Sequence, residues 1–213
     1  MTKIVIENLY KNIKEIQIIK GIQLEMTSGN IYGIRGKNGS GKTMLMRLIC
    51  GLILPSEGHV YIDDLEIGKD ISFPKSVGIL IEKPGFIENE TVMNNLKLLS
   101  SIKNIVTDEQ IISWLNRLQL LEVKDKKFKK LSLGMKQKVG IIAAVMETPD
   151  IIILDEPFNA LDESSVEVVK EILIESKARG ALCILTCHDT DELKMLSDEI
   201  FYLKEGRISY ESH

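Results

Sequence analysis

Long apolar runs are missing from this chain of 213 residues. The longest, Val139 to Met146, covers about eight residues including Gly140, where a membrane-spanning helix needs ~20. The opening residues, Met-Thr-Lys-Ile-Val-Ile-Glu, hold no secretory h-region. The expectation from both absences is a cytoplasmic protein, at a membrane only if something else holds it there. Cysteine is scarce. Cys50, Cys183 and Cys187 are odd in number, lie in apolar or strand-like contexts and lack metal-ligand spacing, so they read as reduced core thiols. Cys187 precedes His188, a pairing that a cysteine nucleophile would also use. Excess positive charge is missing too: 27 Lys and Arg against 31 Asp and Glu leave a net charge of −4, which argues against a nucleic-acid footprint. The basic stretch Lys124 to Lys130 is a local exception. It reads as a solvated face, or as a contact surface for phosphates or an acidic partner. No repeat, low-complexity tract or proline-rich linker divides the chain, and its length allows one large domain or two small ones.

The most informative stretch present is Gly36-Lys37-Asn38-Gly39-Ser40-Gly41-Lys42-Thr43. It fits the P-loop pattern G-x-x-x-x-G-K-[ST] at every fixed position. Ile31 to Ile34 before it reads as a strand, and Met44 to Ile49 after it as the start of a helix. Glycines let the backbone turn successive N–H groups inward as an anion nest. The helix that follows aims its positive end at the same spot. Lys42 can then reach β- and γ-phosphates, and the Thr43 hydroxyl can hold Mg²⁺.

Around this loop the pattern changes twice. Alternating strands open the chain at Ile4 to Ile6 and Ile16 to Met26, and His59 to Ile62 is another. Val77 to Ile81 is a continuous apolar run, ended by Pro84-Gly85. From Glu90 to Glu147 the spacing is helical. Thr107 and Gln110 form a capping box, with Ile111, Ile112, Leu115 and Leu118 on the apolar face and Trp114 beside it. Ser132 precedes a long helix. Strand and helix then alternate: Ile151 to Leu154, Ser164 to Lys177, Ala181 to Thr186, Asp191 to Leu196, and two final strands at Ile200 to Leu203 and Arg207 to Ser209. The expectation is an α/β protein: a P-loop NTPase (RecA-like) core with an N-terminal antiparallel β subdomain. One domain would cover 1–213, with its core at 1–84 and 149–213 and a helical subdomain inserted at 85–148.

Ile151-Ile152-Ile153-Leu154-Asp155-Glu156-Pro157 places two acids at the tip of a buried strand, where open parallel sheets bind ligands. In a P-loop protein Asp155 takes Mg²⁺ and Glu156 polarises an attacking water. His188 follows a second core strand, where it can reach a γ-phosphate.

Together these residues resemble an ABC-type ATPase, the nucleotide-binding subunit of ABC transporters, over essentially the whole chain. The discriminating piece is Leu131-Ser132-Leu133-Gly134-Met135, in the signature position ahead of the acidic strand. Asn159-Ala160-Leu161-Asp162 stands as the D-loop and His188 as the switch histidine. The resemblance implies ATP and Mg²⁺ as ligands, and a head-to-tail homodimer, or a heterodimer with a related ATPase. In it Ser132, Leu133 and Gly134 would lie against the partner's ATP. It also implies a separate integral-membrane permease, placement on the inner face of the cell membrane, and no nucleic-acid partner.

Three departures from the family pattern stand out. Leu133 and Met135 replace a Gly and a Gln of the usual signature, while Ser132 and Gly134 remain. Glu82 stands where the family's coupling loop has Gln; as an acid it can still bind Mg²⁺ or orient water. With Lys83-Pro84-Gly85-Phe86 and Lys136-Gln137, it resembles the bacitracin-export and lantibiotic-immunity branch. The aromatic that stacks on adenine is expected near Ile13, and Tyr10 is the only aromatic nearby; either residue is a candidate base contact. Rival readings are a non-transport ABC ATPase acting on ribosome or DNA, an ATP-sensing regulatory module, and a small-molecule kinase. The first usually carries two such domains or a long coiled coil. The second has no need of Glu156 and His188, and the third none of the signature.

Overall fold

A computed structural model describes residues 1–187 and 190–209. The chain begins with β1 (Lys3–Ile13) and β2 (Ile16–Thr27), a long hairpin whose register shifts three times. It then enters β3 (Ile31–Arg35), the P-loop and α1 (Lys42–Ile49). β4 (Glu57–Ile62) and the two-residue β5 (Leu65–Glu66) follow, then β6 (Val77–Leu80). Three helices come next: α2 (Val92–Lys103), α3 (Asp108–Arg117) and α4 (Leu133–Val145). The chain then alternates through β7 (Ile151–Leu154), α5 (Glu163–Ala178), β8 (Leu182–Thr186), α6 (Thr190–Leu196), β9 (Glu199–Lys204) and β10 (Arg207–Ser209).

Two sheets result. One is antiparallel, in the order β2-β1-β4-β5; the other runs β10-β9-β3-β8-β7-β6. Along the second, β9, β3, β8, β7 and β6 are parallel and β10 alone is antiparallel. Helices cover both faces of that sheet, which explains the unbroken apolar runs of its central strands. Alternate residues of one strand enter different cores. Ile151, Ile153, Leu182 and Ile184 pack with Leu45, Met46 and Ile49 of α1 and with the antiparallel sheet. Ile152, Leu154, Cys183 and Leu185 pack with α4 and α5 through Val139, Ile142, Val169 and Leu173. All three cysteines are buried thiols, and burial pushes Cys50 and Cys183 up to about 12.

α2, α3 and α4 all lie between β6 and β7 in sequence. The capping box that starts α3 makes both its bonds: Gln110 N–H to Thr107 Oγ1 at 3.3 Å and Thr107 N–H to Gln110 Oε1 at 2.8 Å. Trp114 packs against the core with the Arg117 guanidinium 5.6 Å from its ring. The basic stretch is a shell of lysines around one anchor. Phe128 is buried, touches Phe86, and carries Lys136 above its ring.

Candidate functional site

The site gathers at the C-terminal ends of β3, β7 and β8. β3 and β7 are not neighbours, because β8 lies between them. The P-loop leaves β3 at Gly36, where a Cβ would stand 2.4 Å from the Leu203 carbonyl oxygen. Gly41 caps α1 with φ of 107°, a left-handed conformation that only glycine adopts cheaply. Lys42 is 6% exposed, and its ammonium donates to the carbonyls of Gly36 at 2.7 Å and Lys37 at 3.4 Å. A cation therefore sits at the centre of the loop, next to the first amides of α1. Ser40 Oγ is one of two buried side-chain oxygens among the described residues without a hydrogen-bond partner. Such an orphan fits a loop whose polar atoms serve a ligand. A cavity of about 730 Å³ opens beside the loop, with Tyr202, Leu203 and Lys204 on its other wall.

Asp155 and Glu156 follow β7. Asp155 N–H donates to Leu80 O at 2.7 Å, so the first acid still belongs to the ladder. Its carboxylate accepts from Thr43 Oγ1 on Oδ2 and from Thr186 Oγ1 on Oδ1, each at 2.7 Å. The P-loop threonine and the strand-end aspartate thus meet across 112 residues of chain. These two oxygens could hold Mg²⁺, which binds through one or two protein oxygens together with substrate phosphates and water.

Glu156 turns away with φ of 51°, uncommon for a residue with a side chain. Among the described residues, Thr186, Gln137 and Asn159 hold it there. Its N–H donates to Thr186 Oγ1 at 2.8 Å, its carbonyl accepts from Gln137 Nε2 at 3.1 Å, and its carboxylate accepts from Asn159 Nδ2.

Ser132 caps α4, its Oγ accepting from Met135 N–H at 3.2 Å. Leu133 is 66% exposed. Gly134 abuts the D-loop: a Cβ on it would stand 2.4 Å from Ala160 O. Asp162 caps α5, and hydrogen bonds from Ser165 and Ser164 lower its carboxyl to about 2. The ammonium of Lys138, a buried residue of α4, lies 3.8 Å from it.

Glu82 follows β6 in a left-handed backbone conformation, with φ of 60°. Its carboxylate meets Arg47 Nη2 of α1 at 2.8 Å. Ile13 and Ile16 face each other at the tip of the β1–β2 hairpin, 45% and 67% exposed. Tyr10 lies over Gly21, where its hydroxyl is 2.7 Å from the position of a Cβ. His188 lies outside the described residues.

No motif marks Thr186 or Lys138, and neither the D-loop position of Asn159 nor the place of Gln137 behind the signature points to the contacts they make with Glu156. Thr186 and Lys138 had one available signal, a polar side chain inside an apolar strand or helix.

The ABC transporter family profile matches residues 19–159. An uncharacterised ABC transporter ATP-binding protein of Bacillus subtilis, YybJ, is 44% identical over 94% of this chain and 92% of its own length. The bacitracin transport ATP-binding protein BcrA of Enterococcus faecalis is 34% identical over 95% of this chain and 66% of its own length. The lantibiotic transport ATP-binding protein SrtF of Streptococcus pyogenes is 30% identical over 97% and 89%. Among solved structures, a dimeric bacterial ABC transporter cassette is 25% identical, with a TM-score of 0.88 and 97% of each chain covered. The profile match over residues 19–159 and the 44% identity with the YybJ protein show that the chain belongs to the ABC transporter family, as an ATP-binding ATPase subunit.

Proposed function

We propose that this subunit powers a separate membrane permease that exports, or gives immunity to, antimicrobial peptides or drugs. The observation that carries the proposal is its similarity, over nearly its whole length, to bacitracin and lantibiotic transport ATP-binding proteins. Among the described residues no helix is long and apolar enough to cross a membrane, and the passage for cargo is proposed to be a separate chain. A surface groove of about 320 Å³ supports a docking place for it. Leu52, Ile79, Ile81, Phe86 and Leu99 line it, beside the Glu82 loop. This arrangement would hold the subunit on the inner face of the cell membrane.

In this reading the P-loop amides and Lys42 bind the phosphates of ATP, with charge-assisted bonds replacing those to Gly36 and Lys37. Thr43 and Asp155 would hold Mg²⁺, which supplies charge neutralisation on the phosphate oxygens. Glu156 accepts the proton of the attacking water, and Gln137, Asn159 and Thr186 fix where it stands. Ser132 and Gly134 present a helix N-terminus to the ATP of a second subunit across a head-to-tail dimer. Leu133, exposed in this structure, would be covered there.

The test is purification of tagged protein from detergent-solubilised native membranes. A stoichiometric polytopic membrane protein is the expected companion. Ribosomes, DNA-bound proteins, or no companion at all from material that still binds ATP would overturn the transporter reading.

A further inference from the structure

We infer that Thr186 is a positioning residue of the ATPase site, whose single hydroxyl sets both acids by holding the carboxylate of Asp155 and the backbone of Glu156. The inference rests on the roles proposed above for those two acids. Thr186 closes β8 after four apolar residues and is 0% exposed. A hydroxyl buried so deeply is costly unless it is bonded. Here it is bonded twice, at 2.7 Å to Asp155 Oδ1 and at 2.8 Å to Glu156 N–H.

The direction of both bonds is fixed by chemistry. A backbone amide only donates and an ionised carboxylate only accepts. The hydroxyl hydrogen therefore points to Asp155, and an oxygen lone pair faces Glu156. One side chain thereby couples the orientation of the acid proposed for the metal to the orientation of the acid proposed for water. Thr43 also donates to Asp155, but its oxygen is proposed to serve the metal as well. Thr186 has no such second duty, so its hold on Asp155 persists whichever way Thr43 turns. Its bond to Glu156 N–H stabilises the left-handed turn that brings the Glu156 carboxylate onto Asn159.

The experiment compares Thr186→Val, which keeps the shape and removes the hydroxyl, with Thr186→Ser, which keeps the hydroxyl. Four quantities are read in the full chain. They are kcat and KM for Mg-ATP, Mn²⁺ binding by electron paramagnetic resonance with a non-hydrolysable ATP analogue, nucleotide affinity without metal, and the unfolding midpoint. Thr186→Val is expected to lower kcat about tenfold or more and to weaken Mn²⁺ binding about threefold or more, with metal-free nucleotide affinity within about twofold. Thr186→Ser is expected to recover most of both losses. Wild-type kcat and Mn²⁺ affinity in Thr186→Val would overturn the inference. So would equal impairment of the valine and serine variants, because the methyl group would then be the cause. Should the valine variant not fold, Thr186→Ala takes its place: equal activity and Mn²⁺ affinity in alanine and serine variants overturn the inference, and an active serine with an impaired alanine supports it. Glu156→Gln, measured alongside, judges the base reading separately. If it hydrolyses ATP at the wild-type rate that reading fails, while the Mn²⁺ comparison still decides Thr186.

Discussion

Glu82 Oε2 lies 2.8 Å from Arg47 Nη2, so the loop after β6 is tied to the last turn of the helix that begins at the P-loop. Both side chains are partly in water, and an exposed pair of this kind contributes below about 1 kcal/mol. Arg47→Ala and Glu82→Gln are each expected to shift the unfolding free energy by less than that. The double variant should fall short of the sum of the two, and 1 M salt should remove the difference. A denaturant double-mutant cycle measures this. Strictly additive losses would show that the ion pair is not formed in solution.

Lys42→Ala removes the cation at the centre of the loop. Charge-assisted bonds of this type are each worth roughly 1.5–3 kcal/mol, so ATP affinity should fall by about tenfold or more. Equilibrium binding of a fluorescent ATP analogue checks it, and unchanged affinity would contradict the P-loop assignment.

Glu156→Gln keeps the shape of the side chain and loses its basicity. Hydrolysis is expected to fall by about a hundredfold or more, while ATP still binds and traps a dimer. Single-turnover kinetics with size-exclusion chromatography reads both effects. A monomer at saturating ATP would go against the head-to-tail arrangement.

The ring nearest in sequence to the expected base position, Tyr10, lies across Gly21, and Ile13 stands exposed beside Ile16 at the hairpin tip. An aliphatic side chain does not distinguish adenine from guanine by stacking. Turnover of ATP and GTP should be similar, and Ile13→Tyr should tighten both severalfold through a new stacking surface. A strong ATP preference in the wild type would require a base contact other than these two residues.

Burial holds the Cys50 and Cys183 thiols at about 12, against about 8.5 for a free thiol. The folded chain keeps protons that the unfolded chain releases above pH ~8.5. Their contribution to stability is therefore intact below that pH and drains away as pH rises from ~8.5 toward 12. Each thiol withdraws up to about 1.4 kcal/mol per pH unit in that window. Urea unfolding from pH 7.5 to 10 is expected to show the decline, and a Cys183→Ala variant a shallower one. Equal slopes in the two proteins would refute the assignment.

What was legible in the sequence was local. Gly36 to Thr43 announces itself because phosphate binding needs consecutive amides, and consecutive amides are consecutive residues. Asp155 and Glu156 stand out as charges ending an apolar strand, and Thr107 with Gln110 as a helix start. The missing parts depend on pairing between distant segments. Thr186 reads as the end of a strand until β8 is found beside β7. Gln137 stands out only through the branch resemblance, and its hold on Glu156 is hidden until α4 is seen to cross the turn there. The two-residue β5 is too short for any periodicity, and it exists through pairing with β4. Register shifts carry β1 on to Ile13, well past the alternation visible at Ile4 to Ile6.

The contact between Thr43 and Asp155 closes a loop of 112 residues over the tip of an intervening strand. A contact of that span comes late in folding, because its loop-closure entropy must be met before the contact forms. Before the central strands are in order there is a phosphate loop but no acid beside it. A nucleotide that needs both recognises the finished sheet and ignores earlier species. At a concentration 100 times its dissociation constant such a ligand adds about 2.7 kcal/mol to the native state alone. The fuel of the motor is then also a ligand that selects correctly folded copies and protects them from unfolding and proteolysis.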